Sequence, residues 1–202
     1  CVLCDTDFVC YVMNDRMIQT GSGRLIVPVS LADTTMDEGY HEGARSIGAC
    51  FLSDDAGDNW RLSKGRVSLP EDPRGVAEPC VAMASDGRML LLCRTGAGSN
   101  HASWSDDEGE TWSAPISTSQ AAACAPLTLK SLPDGRLVTF YNHAGPLHPG
   151  AFFPRNPLVY STSDDGGESW NRPIVIDDEG EELIEGTHLQ HIYPGTCLTS
   201  EG

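Results

Sequence analysis

Positive charge is scarce in this 202-residue chain: 13 Lys and Arg stand against 29 Asp and Glu, and the formal net charge is −16. A surface of that sign repels phosphate backbones and anionic lipid headgroups, so the composition disfavours nucleic acid and anionic membranes as partners. No hydrophobic run long enough to span a bilayer is visible. No signal peptide is visible either, although a segment before Cys1 would conceal one.

Sustained helical periodicity is also missing, which favours an all-β fold. The eight cysteines do not form a recognisable metal motif, because Cys1-x-x-Cys4 has no second Cys-x-x-Cys to complete a zinc site. Cys50, Cys80 and Cys93 lie in apolar, strand-like runs, where a free cysteine commonly acts as a small hydrophobic residue. The cysteine pattern therefore predicts mostly buried thiols and favours a reducing compartment.

One eight-residue motif occurs three times, and each copy ends on tryptophan. The copies span residues 53–60, 105–112 and 163–170, and their shared pattern is Ser-x-Asp-x-Gly-x-(Thr/Ser/Asn)-Trp. The carboxylate of the Asp can accept hydrogen bonds within its own turn, and the Gly permits a backbone conformation that a Cβ forbids. The Trp is expected to fold its apolar surface back under the hairpin. Repetition at this spacing indicates a repeat architecture.

A second repeated element precedes each motif: a Ser-Gly or Asp-Gly turn that leads into an apolar run. It occurs at residues 22–27, 86–91 and 134–138. Such turns are typical of β-hairpins. Each unit therefore predicts strand, turn, strand, loop, strand, motif and strand, which is one four-stranded propeller blade.

The three-fold motif resembles the Asp-box of sialidases and related β-propeller proteins. The resemblance implies a six-bladed propeller of which residues 1–202 supply a part. The predicted blades cover roughly residues 11–60, 75–112 and 121–170, and residues 188–202 open the next one. Asp-boxes lie on the rim of such propellers, so they predict the fold and leave the chemistry open. We expect the open flanks to be covered by the remaining blades or by a second copy.

Glu78 and Arg94 are the first candidates for a functional site. Glu78 opens one predicted strand and Arg94 closes the next, across a single hairpin, so both side chains are expected at the same end of the sheet. The structural alternatives are that Glu78 is an ordinary rim residue and that Arg94 pairs with an Asp-box carboxylate.

The sialidase resemblance assigns roles to these residues and adds others. It implies that Tyr193 is the nucleophile, that Glu78 is its base, and that Arg94 and Arg155 bind the substrate carboxylate. Arg16 and His143 are further candidates for lining the pocket. A neutral tyrosine suits an anomeric carbon that carries a carboxylate, and it needs a base because its ordinary pKa is about 10. Planar guanidinium groups bind carboxylates in a two-pronged way.

The implied function is exo-hydrolysis of a terminal acidic sugar, a sialic acid or a relative, from a glycan. No cofactor and no metal are implied, and His188 and His191 have no further ligand set nearby in the sequence. The acid/base Asp and the first clamp Arg of the family are expected before Cys1, although Asp33 or Asp37 could replace the acid. Two alternatives stay open: a non-catalytic Asp-box propeller that binds glycan or protein, and a glycosidase for another sugar. Many sialidases are exported, whereas the cysteine pattern favours a reducing compartment, so the location stays open.

Overall fold

The computed structural model describes residues 8–13, 15–33, 45–144, 155–178, 182–184, 187–188, 191, 193–197 and 199. All regular structure among these residues is β-strand. No helix in the described part of the chain is long and apolar enough to cross a membrane.

The first sheet has five strands, two of which share one partner. Its strands are β1 (Phe8–Tyr11), β2 (Ile18–Gln19), β3 (Leu25–Asp33), β4 (Ser46–Ser53) and β5 (Arg61–Leu62). Both β1 and β2 pair antiparallel with β3, one with its C-terminal half and the other with its start. The outermost line of this sheet is therefore split, and residues 12–13 and 15–17 lie outside the strands between β1 and β2.

The second and third sheets each contain four antiparallel strands in sequence order. The second comprises β6 (Ala77–Met83), β7 (Met89–Arg94), β8 (Ser99–Ser105) and β9 (Ile116–Ala121). The third comprises β10 (Thr128–Ser131), β11 (Leu137–Asn142), β12 (Leu158–Ser163) and β13 (Ile174–Asp177). A short pair, β14 (Glu182–Ile184) and β15 (Thr187–His188), follows.

These three sheets are successive blades of a propeller, and we name them blade 1, blade 2 and blade 3. The predicted all-β architecture and the predicted strand order within a unit are confirmed. The Gly turns join β2 to β3, β6 to β7 and β10 to β11. At Gly87 and Gly135 the backbone φ is 87° and 89°, the left-handed region in which a Cβ is costly, so glycine is needed at both turns.

Each Asp-box is closed by its own serine and aspartate. In blade 2, Asp107 accepts hydrogen bonds from the Ser105 hydroxyl at 2.8 Å and from the Thr111 backbone N–H at 2.8 Å. The Gly109 backbone N–H donates to Ser105 Oγ at 2.9 Å. The same contacts recur in the boxes of blade 1 and blade 3. The motif is therefore a self-contained turn whose backbone donors are satisfied by its own side chains.

The Asp-box also joins neighbouring blades, which the sequence did not reveal. Trp112 of blade 2 packs against an apolar cluster that contains Ile26 and Leu52 of blade 1. Likewise Trp170 of blade 3 packs against a cluster shared with blade 2. The expectation that each Trp lies under its own hairpin is thus incomplete for Trp112 and Trp170, whose indoles also pack on the preceding blade. Trp60 packs on residues of blade 1 itself.

The cores lie between the blades, and this placement explains the burial of the middle strands. Every residue of β7 is buried, although Arg94 is polar. The sequence of a strand that is covered on both faces is a continuous apolar run, and residues 89–93 of β7 form such a run. Cys50, Cys80 and Cys93 are free and buried in these cores, as predicted. Burial raises the pKa of all three thiols.

Candidate functional site

Glu78 and Arg94 meet at one end of blade 2. In the pairing of β6 with β7, Ala77 lies opposite Arg94, and the register shifts between Ala77 and Cys80. This irregularity contains Glu78, whose backbone φ is 47°. Arg94 Nη1 donates to Glu78 Oε2 at 2.9 Å, and the Arg94 side chain is almost fully buried. The hairpin thus brings the two charges into contact at the end where the sequence predicted them.

Tyr193 approaches the same carboxylate from a different part of the chain. Its phenol donates to Glu78 Oε1 at 3.0 Å, so the two oxygens of Glu78 are shared between Tyr193 and Arg94. Tyr193 remains 43% exposed, which leaves it accessible from solvent. The adjacent Pro194 carbonyl accepts a hydrogen bond from Thr128 Oγ1 at 2.5 Å, and this contact ties the segment to blade 3.

Four ionisable groups interact at the site: the charged side chains of Arg94, Arg155 and Glu78, and the phenol of Tyr193. Burial lowers the pKa of Arg155, and the positive charge of Arg94 lowers it further. Burial also opposes the charge on Arg94, but the Glu78 carboxylate and the Cys124 sulfur together outweigh burial and raise the pKa of Arg94 overall. The guanidinium groups of Arg94 and Arg155 repel each other and outnumber the one carboxylate of Glu78, so the site favours an additional anion.

The phenol is held in its neutral form. Burial raises the pKa of Tyr193 above its ordinary value, and the negative charge of Glu78 raises it further. Because Glu78 accepts the phenol proton in a hydrogen bond, it is also the group to which that proton could move. The arrangement is therefore a phenol and base pair beside a cationic patch.

Arg155 is held by its backbone. Its carbonyl accepts hydrogen bonds from Asn142 Nδ2 at 2.8 Å and from the His191 backbone N–H at 3.2 Å. Its charge interacts with those of Arg94 and Glu78, which places it near them. A role for Arg155 in binding the substrate carboxylate stays a prediction.

Arg16 and His143 occupy positions that differ from this cluster. Arg16 points its guanidinium at three backbone carbonyls: those of Glu78, Pro79 and Leu127. His143 lies just beyond β11, bridged to Ala122, and its ring meets that of Tyr141 edge-on at 6.4 Å between centroids. A role for either residue in binding substrate stays a prediction. Asp33 ends β3, whereas Asp37 lies outside the described residues.

Sequence reasoning missed two residues at this site. Cys124 lies within 3.4 Å of Arg94 Nε as a sulfur acceptor, and Thr128 holds Pro194 next to Tyr193. Cys124 sits in an alanine-rich stretch that carries no hairpin or motif signal. Thr128 is the first residue of β10, and only the long-range return of residues 193–195 gives it a role. No group of three potential metal ligands occurs among the residues the structure describes.

Comparisons with known proteins agree with this architecture. A family model described as "BNR repeat-like domain" matches residues 5–202. Among solved structures, the Trypanosoma rangeli sialidase is 18% identical with a TM-score of 0.57, over 80% of this chain and 24% of that one. The leech intramolecular trans-sialidase is 20% identical with a TM-score of 0.53, over 80% of this chain and 22% of that one. A protein of unknown function from Dyadobacter fermentans is 18% identical with a TM-score of 0.52, over 82% of this chain and 50% of that one.

At these identities the likeness concerns the fold, and the chain spans a quarter or less of the two sialidase structures. No curated protein matches the sequence significantly. The resemblance to sialidase-like Asp-box propellers, first drawn from the three repeated motifs, is confirmed. Because the family model covers nearly the entire sequence, the chain belongs to the family of BNR repeat-like domains.

Proposed function

We propose that the protein that carries this chain is a sialidase-like exo-glycoside hydrolase that cleaves a terminal acidic sugar, such as a sialic acid, from a glycan. The single observation that supports it most is the shared carboxylate: Glu78 accepts the phenol of Tyr193 through one oxygen and the guanidinium of Arg94 through the other. The likeness to proteins named sialidase and trans-sialidase supports the same class of substrate.

In this proposal Arg94 and Arg155 bind the carboxylate of the sugar. Their mutual repulsion is relieved when an anion enters, and a guanidinium fork matches the two oxygens of a carboxylate. The bound carboxylate would repel an anionic nucleophile at the adjacent anomeric carbon, whereas the neutral phenol of Tyr193 can approach. Arg94 and Arg155 thus hold the sugar in place. They also reduce the negative electrostatic potential at the anomeric carbon that Tyr193 attacks.

Bond formation requires that Tyr193 lose its proton as its oxygen attacks. Glu78 lies within hydrogen-bond distance and takes that proton, while Arg94 stabilises the pair electrostatically. The aglycone leaves with the electrons of the glycosidic bond and is protonated by an acid. Water then attacks the tyrosyl glycoside. The deprotonated acid takes a proton from that water, and Glu78 returns to the departing Tyr193 oxygen the proton that it took in the first step. Two displacements at one carbon give retention of configuration.

Substitution of the pair in the full-length protein tests this mechanism. We expect Tyr193→Phe to remove nearly all hydrolysis of an aryl α-sialoside, and Glu78→Gln to lower kcat by roughly 100- to 10,000-fold, the usual contribution of a general base. Tyr160→Phe is the matched control, because Tyr160 packs against Phe140 in blade 3, and its turnover should equal that of the wild type. Full activity of Tyr193→Phe would contradict the assignment.

The carboxylate clamp has its own test in binding. Calorimetry should detect free sialic acid and give a much weaker signal for its methyl ester, which lacks the charge that Arg94 and Arg155 recognise. Arg155→Lys should weaken binding of the acid more than that of the ester, because an ammonium cannot reproduce the planar fork. Equal affinity for acid and ester would favour a propeller that binds a neutral glycan.

A further inference from the structure

Arg16 is buried where the three blades meet. All of its described hydrogen bonds are to backbone carbonyl oxygens. It lies in the interruption between β1 and β2 and is only 7% exposed. One terminal nitrogen donates to the carbonyls of Glu78 and Pro79, and the other donates to the carbonyl of Leu127 at 2.9 Å. A single side chain of blade 1 therefore binds the first strand of blade 2 and the start of blade 3.

The backbone of Glu78 is held from both sides by blade 1. Its carbonyl accepts from Arg16, and its N–H donates to the buried Ser30 hydroxyl at 2.7 Å. Glu78 is not a glycine, yet its φ is 47° and it lies in a register shift of β6. A left-handed backbone at such a residue persists where surrounding contacts over-determine it. The two bonds from blade 1 supply that constraint.

Arg16 also supports the segment that carries Tyr193. Leu127, whose carbonyl it binds, precedes Thr128, and Thr128 in turn holds the carbonyl of Pro194. Arg16, Tyr193 and Pro194 line the same small pocket, whose volume is about 10 Å³. The guanidinium thus connects to Glu78 directly and to Tyr193 through one intervening strand.

We infer that Arg16, together with Ser30, is a positioning residue: it fixes the Glu78 carboxylate against Tyr193 and does not itself bind the sugar. This inference rests on the proposed function of Glu78 and Tyr193. It differs from the substrate-binding role that the sequence predicted for Arg16. The planar fork is essential, because one lysine ammonium cannot reach three carbonyls that lie on two blades.

The first test is Arg16→Lys in the full-length protein, which keeps the charge and loses the fork. We expect kcat for an aryl α-sialoside to fall about 100-fold, the order associated with misplacing a reacting group by about 1 Å. KM should change by less than about 3-fold, because Arg94 and Arg155 remain to bind the carboxylate. Arg66→Lys is the matched control: Arg66 also donates to two backbone carbonyls of blade 1, away from the site.

A double substitution separates positioning from direct binding. If Arg16 acts through Glu78, adding Arg16→Lys to Glu78→Gln should lower kcat by less than about 3-fold more, since coupled residues are non-additive. If Arg16 binds substrate, the two effects multiply and KM rises, which overturns the inference. A pure loss of folded molecules, with an unchanged kcat per site counted by burst amplitude, also overturns it.

Ser30→Ala provides a variant that leaves the buried charge in place. It should lower kcat by about 10-fold, whereas Ser63→Ala, which removes a buried hydroxyl that accepts the Cys50 N–H of the same blade, should not. Equal kcat values for the two variants would contradict the role of Ser30.

A readout independent of catalysis distinguishes failure of this inference from failure of the proposed function. Amide hydrogen exchange in the peptide that spans residues 76–81 should accelerate at least 10-fold in Arg16→Lys and stay unchanged in Arg66→Lys. If the wild-type protein neither binds nor cleaves sialosides, the proposed function fails, and this measurement still decides whether Arg16 fixes Glu78. Unchanged exchange in Arg16→Lys overturns the inference.

Discussion

Two residues of the proposed site, Glu78 and Tyr193, have left-handed backbones, with φ of 47° and 50°. Such conformations cost energy for residues with a Cβ, and they concentrate where a side chain must be aimed. At Ala56 and Glu108 the same conformation belongs to the Asp-box turns, where the local hydrogen bonds explain it. At Glu78 the explanation lies in the contacts from Arg16 and Ser30, which are distant in sequence.

The titration of Tyr193 should report its contact with Glu78. Because burial and the Glu78 carboxylate both raise its pKa, the phenolate should appear above about pH 10, the ordinary value. The stability contributed by this retained proton is present below that pH and is lost as pH rises through the raised pKa. Glu78→Gln should lower the pKa of Tyr193. The measurement is the difference in phenolate absorbance between each protein and its Tyr193→Phe partner, and an unmoved midpoint would contradict the contact.

At the residue scale, sequence order and hairpin logic predicted the meeting of Glu78 with Arg94, because a two-residue turn fixes which side chains share an end. The same logic could not predict Arg16. Its partners are carbonyl groups, which every residue carries, so no residue type in the sequence marks them. Long-range contacts of this kind depend on how neighbouring blades pack against each other. The hydrogen bond from Thr128 to the Pro194 carbonyl is another contact of this kind.

At the scale of the element, the Asp-box performs two separable tasks. Its Ser and Asp close the turn, and in blades 2 and 3 its Trp and Gly also pack against the preceding blade. Gly109 lies close to both Ile26 and Leu52, with 3.6 Å between each of those side chains and an ideal Cβ at the glycine. The sequence predicted the first task, because turn chemistry is local. It could not predict the second, because the partner surface lies in another repeat.

Closure of the turn should depend on pH in a defined direction. Burial opposes ionisation of Asp107, but the hydrogen bonds from Thr111 and Ser105 outweigh it and lower its pKa. Its stabilisation is therefore present above the unfolded value of about 3.9 and is lost as pH falls through the lower folded value. We expect Asp107→Asn to cost about 1 kcal/mol at neutral pH, and the difference should shrink as pH falls below about 4 and vanish once the pH lies below the folded pKa.

Urea unfolding at several pH values measures this difference, and kcat per folded molecule should stay unchanged. Asp106→Asn is the matched control, since the neighbouring Asp106 has no side-chain hydrogen bond among the described contacts. A difference that stays constant as the pH falls below about 4 would contradict the carboxylate mechanism.

The seam between blades offers a test of close packing. Gly65 of blade 1 donates its N–H to the Glu110 carbonyl at 2.8 Å, and a Cβ at Gly65 would lie 2.8 Å from the Thr111 Cα. Because that neighbour is backbone, Gly65→Ala must shift the two blades apart. We expect a loss of about 1–3 kcal/mol, as for overpacking of a core. Gly21→Ala, where nothing lies within 4 Å, should change the melting temperature little by comparison.

At the scale of the whole molecule, repetition made the fold predictable. Three copies of one motif, each preceded by a Gly turn, predicted three blades and their internal order without any knowledge of long-range contacts. The split first strand of blade 1 was not predictable in this way. This split interrupts the repeat and places Arg16 against blades 2 and 3. A departure from a repeat has no periodic pattern in the sequence, so the sequence could not predict it.

The outer strand of blade 3 should make the 202-residue chain associate when it is expressed alone. Ile174, Val175 and Ile176 of β13 are each about half exposed, and within the described residues β13 pairs with β12 only. An exposed apolar strand with one open edge is a template for pairing with another copy. Light scattering should therefore give a mass above that of the 21.7 kDa monomer. Val175→Lys should restore the monomer, because a charge on the edge strand disfavours pairing, whereas Ile116→Lys in β9 of blade 2 should not. A monomeric wild-type chain would contradict this expectation, because it would show that the edge of β13 stays in solvent without pairing with another copy.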